Sequence, residues 1–173
     1  MSADDARLFE RLGPLILEGN LVIRLTEYFE VVGITYPALL KLEDVGLLSG
    51  SENELVLWSW KAVPTYRGRG AVFNSGKARL LVLGLGDGQT ELSLSTIRLT
   101  EAGKHLMVLG NFAPDDEYLE AIAEYAKKRR YFPSNPGTAW AVIAKGRAFP
   151  DRFAIAEDKV LYGQPEPPTS LAP

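Results

Sequence analysis

The chain has no cysteine and only one histidine, His105. The first absence excludes disulfides and thiolate metal sites and fits a reducing compartment. The second, with the first, leaves the common nucleophile–base pairs and zinc sites without their parts. Long apolar runs are missing as well. Stretches such as Leu80 to Leu83 are far shorter than a membrane span. Met1 to Asp5 carry no basic region ahead of an apolar stretch, so no secretory leader is expected. A cytoplasmic location, without membrane contact, follows as the expectation.

In a chain of 173 residues, 46% apolar and 24% charged residues suffice for a buried core without staples. Net charge is −3, but it is unevenly laid out. Residues 1–54 carry four basic against ten acidic groups. Residues 55–86 carry Lys61, Arg67, Arg69, Lys77 and Arg79 and no acid. Residues 87–126 are again acidic, and Lys127 to Arg130 form a basic run. Such segregation leaves two readings: one basic surface on an acidic body, or blocks that interleave in space and neutralise each other.

Ser2 caps a predicted helix over residues 3–17, with Asp4 and Asp5 favourably placed against its dipole. Leu21, Leu25, Tyr28, Phe29 and Val32 share one helical face and predict a second helix over 21–32. Thr35 and Pro37 open a third, ended by Gly46. Residues 54–61 predict a strand that includes Trp58 and Trp60, and residues 62–77 a long loop. Strands follow over 78–85 and 90–99, joined by a hairpin turn at Gly86 to Gln89. Thr100 caps a further helix, and Pro114 to Glu117 begin another, with Tyr118, Leu119, Ile122 and Tyr125 as its apolar stripe. Short strands are expected over 138–145 and 153–162. Residues 164–173, with four prolines, are expected to be a disordered tail.

This order resembles the winged-helix layout of bacterial regulators. There a helix leaves through a Leu-x-x-x-Gly-Leu exit, here Leu42 to Leu47. A β wing follows, and a Leu-Thr-x-x-Gly turn, here Leu99 to Gly103, starts the closing helix. Ser2 to Leu12, Gly33 to Tyr36 with Leu39 to Leu48, and Ile97 to Leu106 are similar to the bacterial family called domain of unknown function 2806. That family carries no established activity. The resemblance, over roughly residues 2–130, implies winged-helix-like helices with an antiparallel three-stranded β wing. With a C-terminal α/β extension that it does not explain, the expected fold class is α+β. The expected division is a winged-helix-like domain over 1–130, an extension packed on it over 131–163, and the tail.

No catalytic, cofactor or metal residues are assigned. His105 reads as a structural residue of its helix. Asp115, Asp116 and Glu117 read as acids matched to a helix dipole. Gly84, Gly86 and Gly88 lack the helix and lysine of a phosphate-binding loop. Binding is the better-supported class. Lys41 stands on the third helix, but beside Glu43 and Asp44, which repel phosphate. Tyr66, Arg67, Arg69, Phe73, Lys77 and Arg79 mix cations with aromatics in the wing region and could follow a nucleic-acid backbone or equally pack onto the acidic first helix or onto a partner. Trp58 and Trp60 share one strand face, where either burial or service as a protein anchor is open. The leading expectation is a non-enzymatic regulatory or interaction module with a protein partner or self-association. The alternative is a regulator that binds double-stranded DNA through the basic wing.

Overall fold

A computed structural model describes residues 2–50, 57–65, 68–76, 79–85, 90–128, 140–148 and 153–163. Helix α1 covers Ala3–Leu12. The Ser2 hydroxyl accepts the Asp5 N–H and the Asp5 carboxylate accepts the Ser2 N–H, a reciprocal cap at the first turn. The helix stops earlier than its apolar spacing predicts, because Gly13–Leu15 tighten into a 3-10 turn around Pro14.

The expected second helix is a correction. Leu21–Ile23 is strand β1, and only Thr26–Val31 is helical, as α2. Leu21, Val22 and Ile23 are all buried, and pairing with a strand some 75 residues later decides their conformation. Local spacing has no access to such a partner. Helix α3 spans Tyr36–Asp44, with the Thr35 hydroxyl accepting the Ala38 N–H. Gly46 ends it at φ +75°, and the Leu47 N–H returns to the Leu42 carbonyl at 2.9 Å.

Next come β2 (Leu48–Ser49), β3 (Leu57–Lys61), β4 (Val63–Thr65), β5 (Gly68–Ser75), β6 (Arg79–Gly84) and β7 (Glu91–Leu99). Then follow α4 (Glu101–Gly110), α5 (Asp116–Lys128), β8 (Ala141–Ala148) and β9 (Phe153–Tyr162). The fold is α+β with antiparallel sheets. One sheet has β7 between β1 on one side and β2 and β3 on the other. The second runs β4-β5-β6-β8-β9.

Three sequence expectations change here. The stretch 62–77, expected as loop, contains β4 and β5, since Ala71, Phe73 and Ser75 alternate inward despite the surrounding glycines. The three-stranded wing of 54–61, 78–85 and 90–98 is not formed. β6 pairs with β5 and β8, whereas β7 pairs with β1, β2 and β3. The residues of the expected turn, Gly86 to Gln89, lie outside the described residues. A turn signal fixes the chain reversal but not which strands then pair. Finally, the described part of the expected α/β extension is all strand: β8 and β9 complete the second sheet.

Strand β7 explains its own irregular alternation. Leu92, Leu94 and Thr96 are buried on one face, then Ile97 and Leu99 on the other. Their registers place Leu92 and Leu94 with Trp60 and Trp58, and Leu99 with Leu48. Trp60 in turn stacks on Phe73 of the second sheet, ring centroids 4.6 Å apart. One continuous apolar core therefore runs from α1 and α3 through β7 to β5, β6 and α5.

The two motifs of the closing turn meet. The Thr100 N–H donates to the Leu47 carbonyl at 3.1 Å, and its hydroxyl donates to the Gly46 carbonyl at 2.6 Å while accepting the Gly103 N–H. A Cβ on Gly103 would stand 2.3 Å from the Leu47 oxygen, so only glycine allows this approach.

Strand β1 lies at a sheet edge, yet its outward groups are bonded. Leu17 and Leu21 exchange both backbone hydrogen bonds, at 2.6 and 2.8 Å. The Ile23 N–H donates to the Tyr118 hydroxyl at 2.7 Å, and that hydroxyl donates to the Ile23 carbonyl at 2.8 Å. Tyr118 is fully buried on α5. Burial pushes its ionisation far above the ordinary phenol range, so the donating proton stays. Tyr118→Phe leaves both Ile23 groups buried and unbonded. It is expected to lower unfolding free energy by about 2 to 3 kcal/mol in urea denaturation. A loss under about 0.5 kcal/mol would show that the hydroxyl is dispensable.

Candidate functional site

Helices α2 and α3 are joined by a short turn at Gly33, φ +72°. Phe29, Leu39 and Leu42 bury the inner faces of the pair. The outer face carries exposed apolar groups at its two ends: Val31 is 79% exposed, Tyr36 49% and Val45 40%. Glu27, Glu30 and Asp44 are exposed beside them. Glu43 accepts the Gly50 N–H at 2.9 Å.

Lys41 is the sole cation on α3. Its ammonium lies 3.0 Å from the carboxylate of Asp5, whose side chain is only 4% exposed. Asp5 is therefore held well below the usual carboxylate range, at about 2, first by the Ser2 backbone N–H and then by Lys41. The cation that the sequence offered for binding is spent on fastening α3 to α1.

A cleft of about 480 Å³ opens between α2 and α5. Leu25, Val31 and Ala121 supply apolar lining, Tyr28 and Tyr125 the aromatics, and Arg24 and Glu124 the charge. Lys128 on α5 pairs with Glu27 on α2 at 3.7 Å. Both are largely exposed, so that pair adds little stability. The cleft is anchored by Tyr28, whose hydroxyl donates to Asp115 at 2.6 Å and whose ring lies 5.4 Å from that of Tyr118. The other Asp115 oxygen accepts the N–H groups of Glu117 and Tyr118 and so caps α5. Burial, then the Asp115 carboxylate, pushes the Tyr28 phenol above its ordinary range.

The remaining sequence candidates are dispersed. Trp60 is buried and donates its indole N–H to Glu18 at 3.3 Å. Trp58 is 37% exposed and lies under the Arg98 guanidinium, 4.8 Å from ring centroid to carbon. Arg69 is exposed on β5, and Arg79 opens β6 opposite Ser75 and Lys145. Tyr66, Arg67 and Lys77 lie outside the described residues. His105 is exposed on α4. Among the described residues no group of three or more His, Asp or Glu could hold a metal ion. No helix among them is long and apolar enough to cross a membrane.

No family model, curated protein or solved structure matches the chain.

Two residues escaped sequence reasoning. Glu18 sits in the left-handed region at φ +51°. Its carboxylate accepts from Trp60, from the Asn74 N–H at 2.9 Å and from the Asn74 amide at 2.8 Å, tying β3 to β5. Arg98 was hidden in a strand pattern. Only the neighbouring Gly19-Asn20 hinted at an unusual turn around Glu18.

The Lys41–Asp5 pair has a pH consequence. Because the folded Asp5 pKa is depressed, its stabilisation is full above the ordinary value of 3.8 and is lost as pH falls through about 2. Lys41→Met removes one of the favourable charges. The Asp5 midpoint should rise from about 2 but stay below 3.8, since the Ser2 cap remains. Carboxyl carbon NMR titration reads it, and an unmoved midpoint would dismiss the pair.

Proposed function

We propose that the chain is a non-enzymatic regulatory or interaction module of winged-helix type that works through protein contacts made around α2 and α3. The observation that carries this is the spending of Lys41 on Asp5. The helix that would enter a DNA groove then offers exposed Tyr36, Val45 and Asp44, and no uncommitted cation. Tyrosine and apolar groups at such a face supply binding energy to a protein, whereas acids repel phosphate. The adjoining cleft, with its tyrosines and Val31, extends the same surface.

The winged-helix reading is supported by the α2–turn–α3 pair, by β7 lying between β1 and β2, and by Thr100 closing on Gly46 and Leu47. In this reading β4, β5 and β6 are an insertion at the wing, joined by β8 and β9. The meeting of the same two motifs supports membership of the domain of unknown function 2806 family. The absence of cysteine supports a cytoplasmic setting.

The competing DNA reading keeps exposed Arg69 and the neighbouring basic residues as its resource. Duplex-DNA titration at low and moderate salt separates the two. Any low-salt binding should fall steeply with salt, ignore sequence, and vanish in the Arg67/Arg69/Lys77/Arg79→Ala variant. Tight, sequence-selective binding that survives moderate salt would overturn the protein-contact reading.

A further inference from the structure

The sheets present their strand edges very differently. The β1 edge is closed by Leu17 and by the Tyr118 hydroxyl. The β4 edge is three residues long and contains Pro64, which has no N–H to offer. The β9 edge is broken by two register shifts against β8 and carries exposed Glu157, Asp158 and Lys159. These are the usual ways a protein stops its edges from pairing with other chains.

Among the described residues the β3 edge has no proline, no register shift and no side chain bonded across it, and its one charged residue is Lys61. Ala62 donates to Thr90 across the β3–β7 ladder, so the bonded pairs are Trp60 with Leu92 and Trp58 with Leu94. By alternation, the N–H and C=O groups of Leu57, Ser59 and Lys61 point away from β7. Among the described residues they meet no partner strand. Leu57 is 60% exposed, and Ser59 and Lys61 are exposed too.

A cation stands beside this edge. The Arg98 guanidinium lies on the Trp58 ring. Its Nε is buried and has no hydrogen-bond acceptor. Arg98 makes no ion pair among the described residues, in a chain where acids outnumber bases 22 to 19. A buried guanidinium N–H without an acceptor is costly unless something supplies one.

We propose that the open edge of β3 receives an extended, acid-bearing segment of a partner protein as an added strand. Its backbone pairs with Leu57, Ser59 and Lys61, its apolar side chains pack on Leu57 and Trp58, and a carboxylate meets Arg98. This mode draws affinity from main-chain bonds and selectivity from the flanking side chains. A second copy of the chain is the poorer occupant. β3 reads Leu-Trp-Ser-Trp-Lys and brings no acid, so a β3–β3 pair would leave Arg98 unanswered. The inference rests on the protein-contact reading above but names a surface separate from α2 and α3.

The test starts with random nine-residue peptides displayed on phage and selected on the full chain. A synthetic copy of a selected peptide is then titrated by fluorescence polarisation. Selected peptides should combine an acid with β-branched or aromatic neighbours. Saturation should slow hydrogen exchange at the Leu57, Ser59 and Lys61 amides. Ser59→Pro removes an outward N–H and leaves the β7 ladder intact, so it should weaken binding at least tenfold. Arg98→Gln should weaken acid-bearing peptides about tenfold and leave their alanine-substituted versions unchanged. Thermal unfolding of each variant guards against misfolding, and the exchange measurement on wild type stands if Ser59→Pro does not fold. Selection of no peptides, peptides without acids, unchanged exchange at the three amides, or a dimer of the chain through β3 would each overturn the assignment. Failure here is distinct from failure of the proposed function, which is read at α2 and α3 and by DNA titration.

Discussion

One buried hydroxyl holds the two halves of this architecture together. Tyr118 both accepts from and donates to Ile23, so the edge of β1 ends against α5 instead of against water. The same residue packs on Tyr28, and the Asp115 carboxylate that caps α5 also accepts the Tyr28 hydroxyl's hydrogen bond. Strand β1, helix α2 and helix α5 thus share one small polar network inside an apolar core. A network of this kind is favourable only when every member is satisfied. The position of α5 fixes the cleft against α2, and through it the surface assigned to protein contact.

A second constraint lies at β7. Burial along this strand passes from one face at Leu92, Leu94 and Thr96 to the other at Ile97 and Leu99, and with β1 on one edge and β2 and β3 on the other it joins the helical side to the core shared with the second sheet. Trp60, stacked on Phe73 and bonded to Glu18, makes the crossing rigid at one end. At the other end Trp58 and Arg98 remain half open. Two tryptophans on the same strand face therefore serve different ends: one fills the core and its neighbour stays at the rim.

Helix starts were legible because their determinants are local. Ser2, Thr35 and Thr100 each accept the backbone N–H of the residue three positions on, in the helix they begin. The glycine exit at Gly46 was likewise readable from spacing, whereas the close approach at Gly103 was not. Nor was pairing. Leu21, Val22 and Ile23 fit a helical face, and only β7 makes them a strand. The glycines of β5 imitate a loop, and its strand character comes from burial between β4 and β6. As for the candidate site, sequence supplied Lys41 and the tryptophans but not their partners. Asp5, Glu18 and Arg98 decide what those residues can do, and each lies 36 to 42 positions away from the residue it controls.

The central claim is that one sheet edge is closed from within and another is left open to a partner. Amide hydrogen exchange of the free chain measures both together. The account predicts that the Ile23 amide, although on an edge strand, exchanges as slowly as the central amides of β7. The Leu57, Ser59 and Lys61 amides should exchange rapidly. Protection of Ser59 equal to that of Ile23 in the free chain would contradict the account, because β3 would then already have a partner within its own fold.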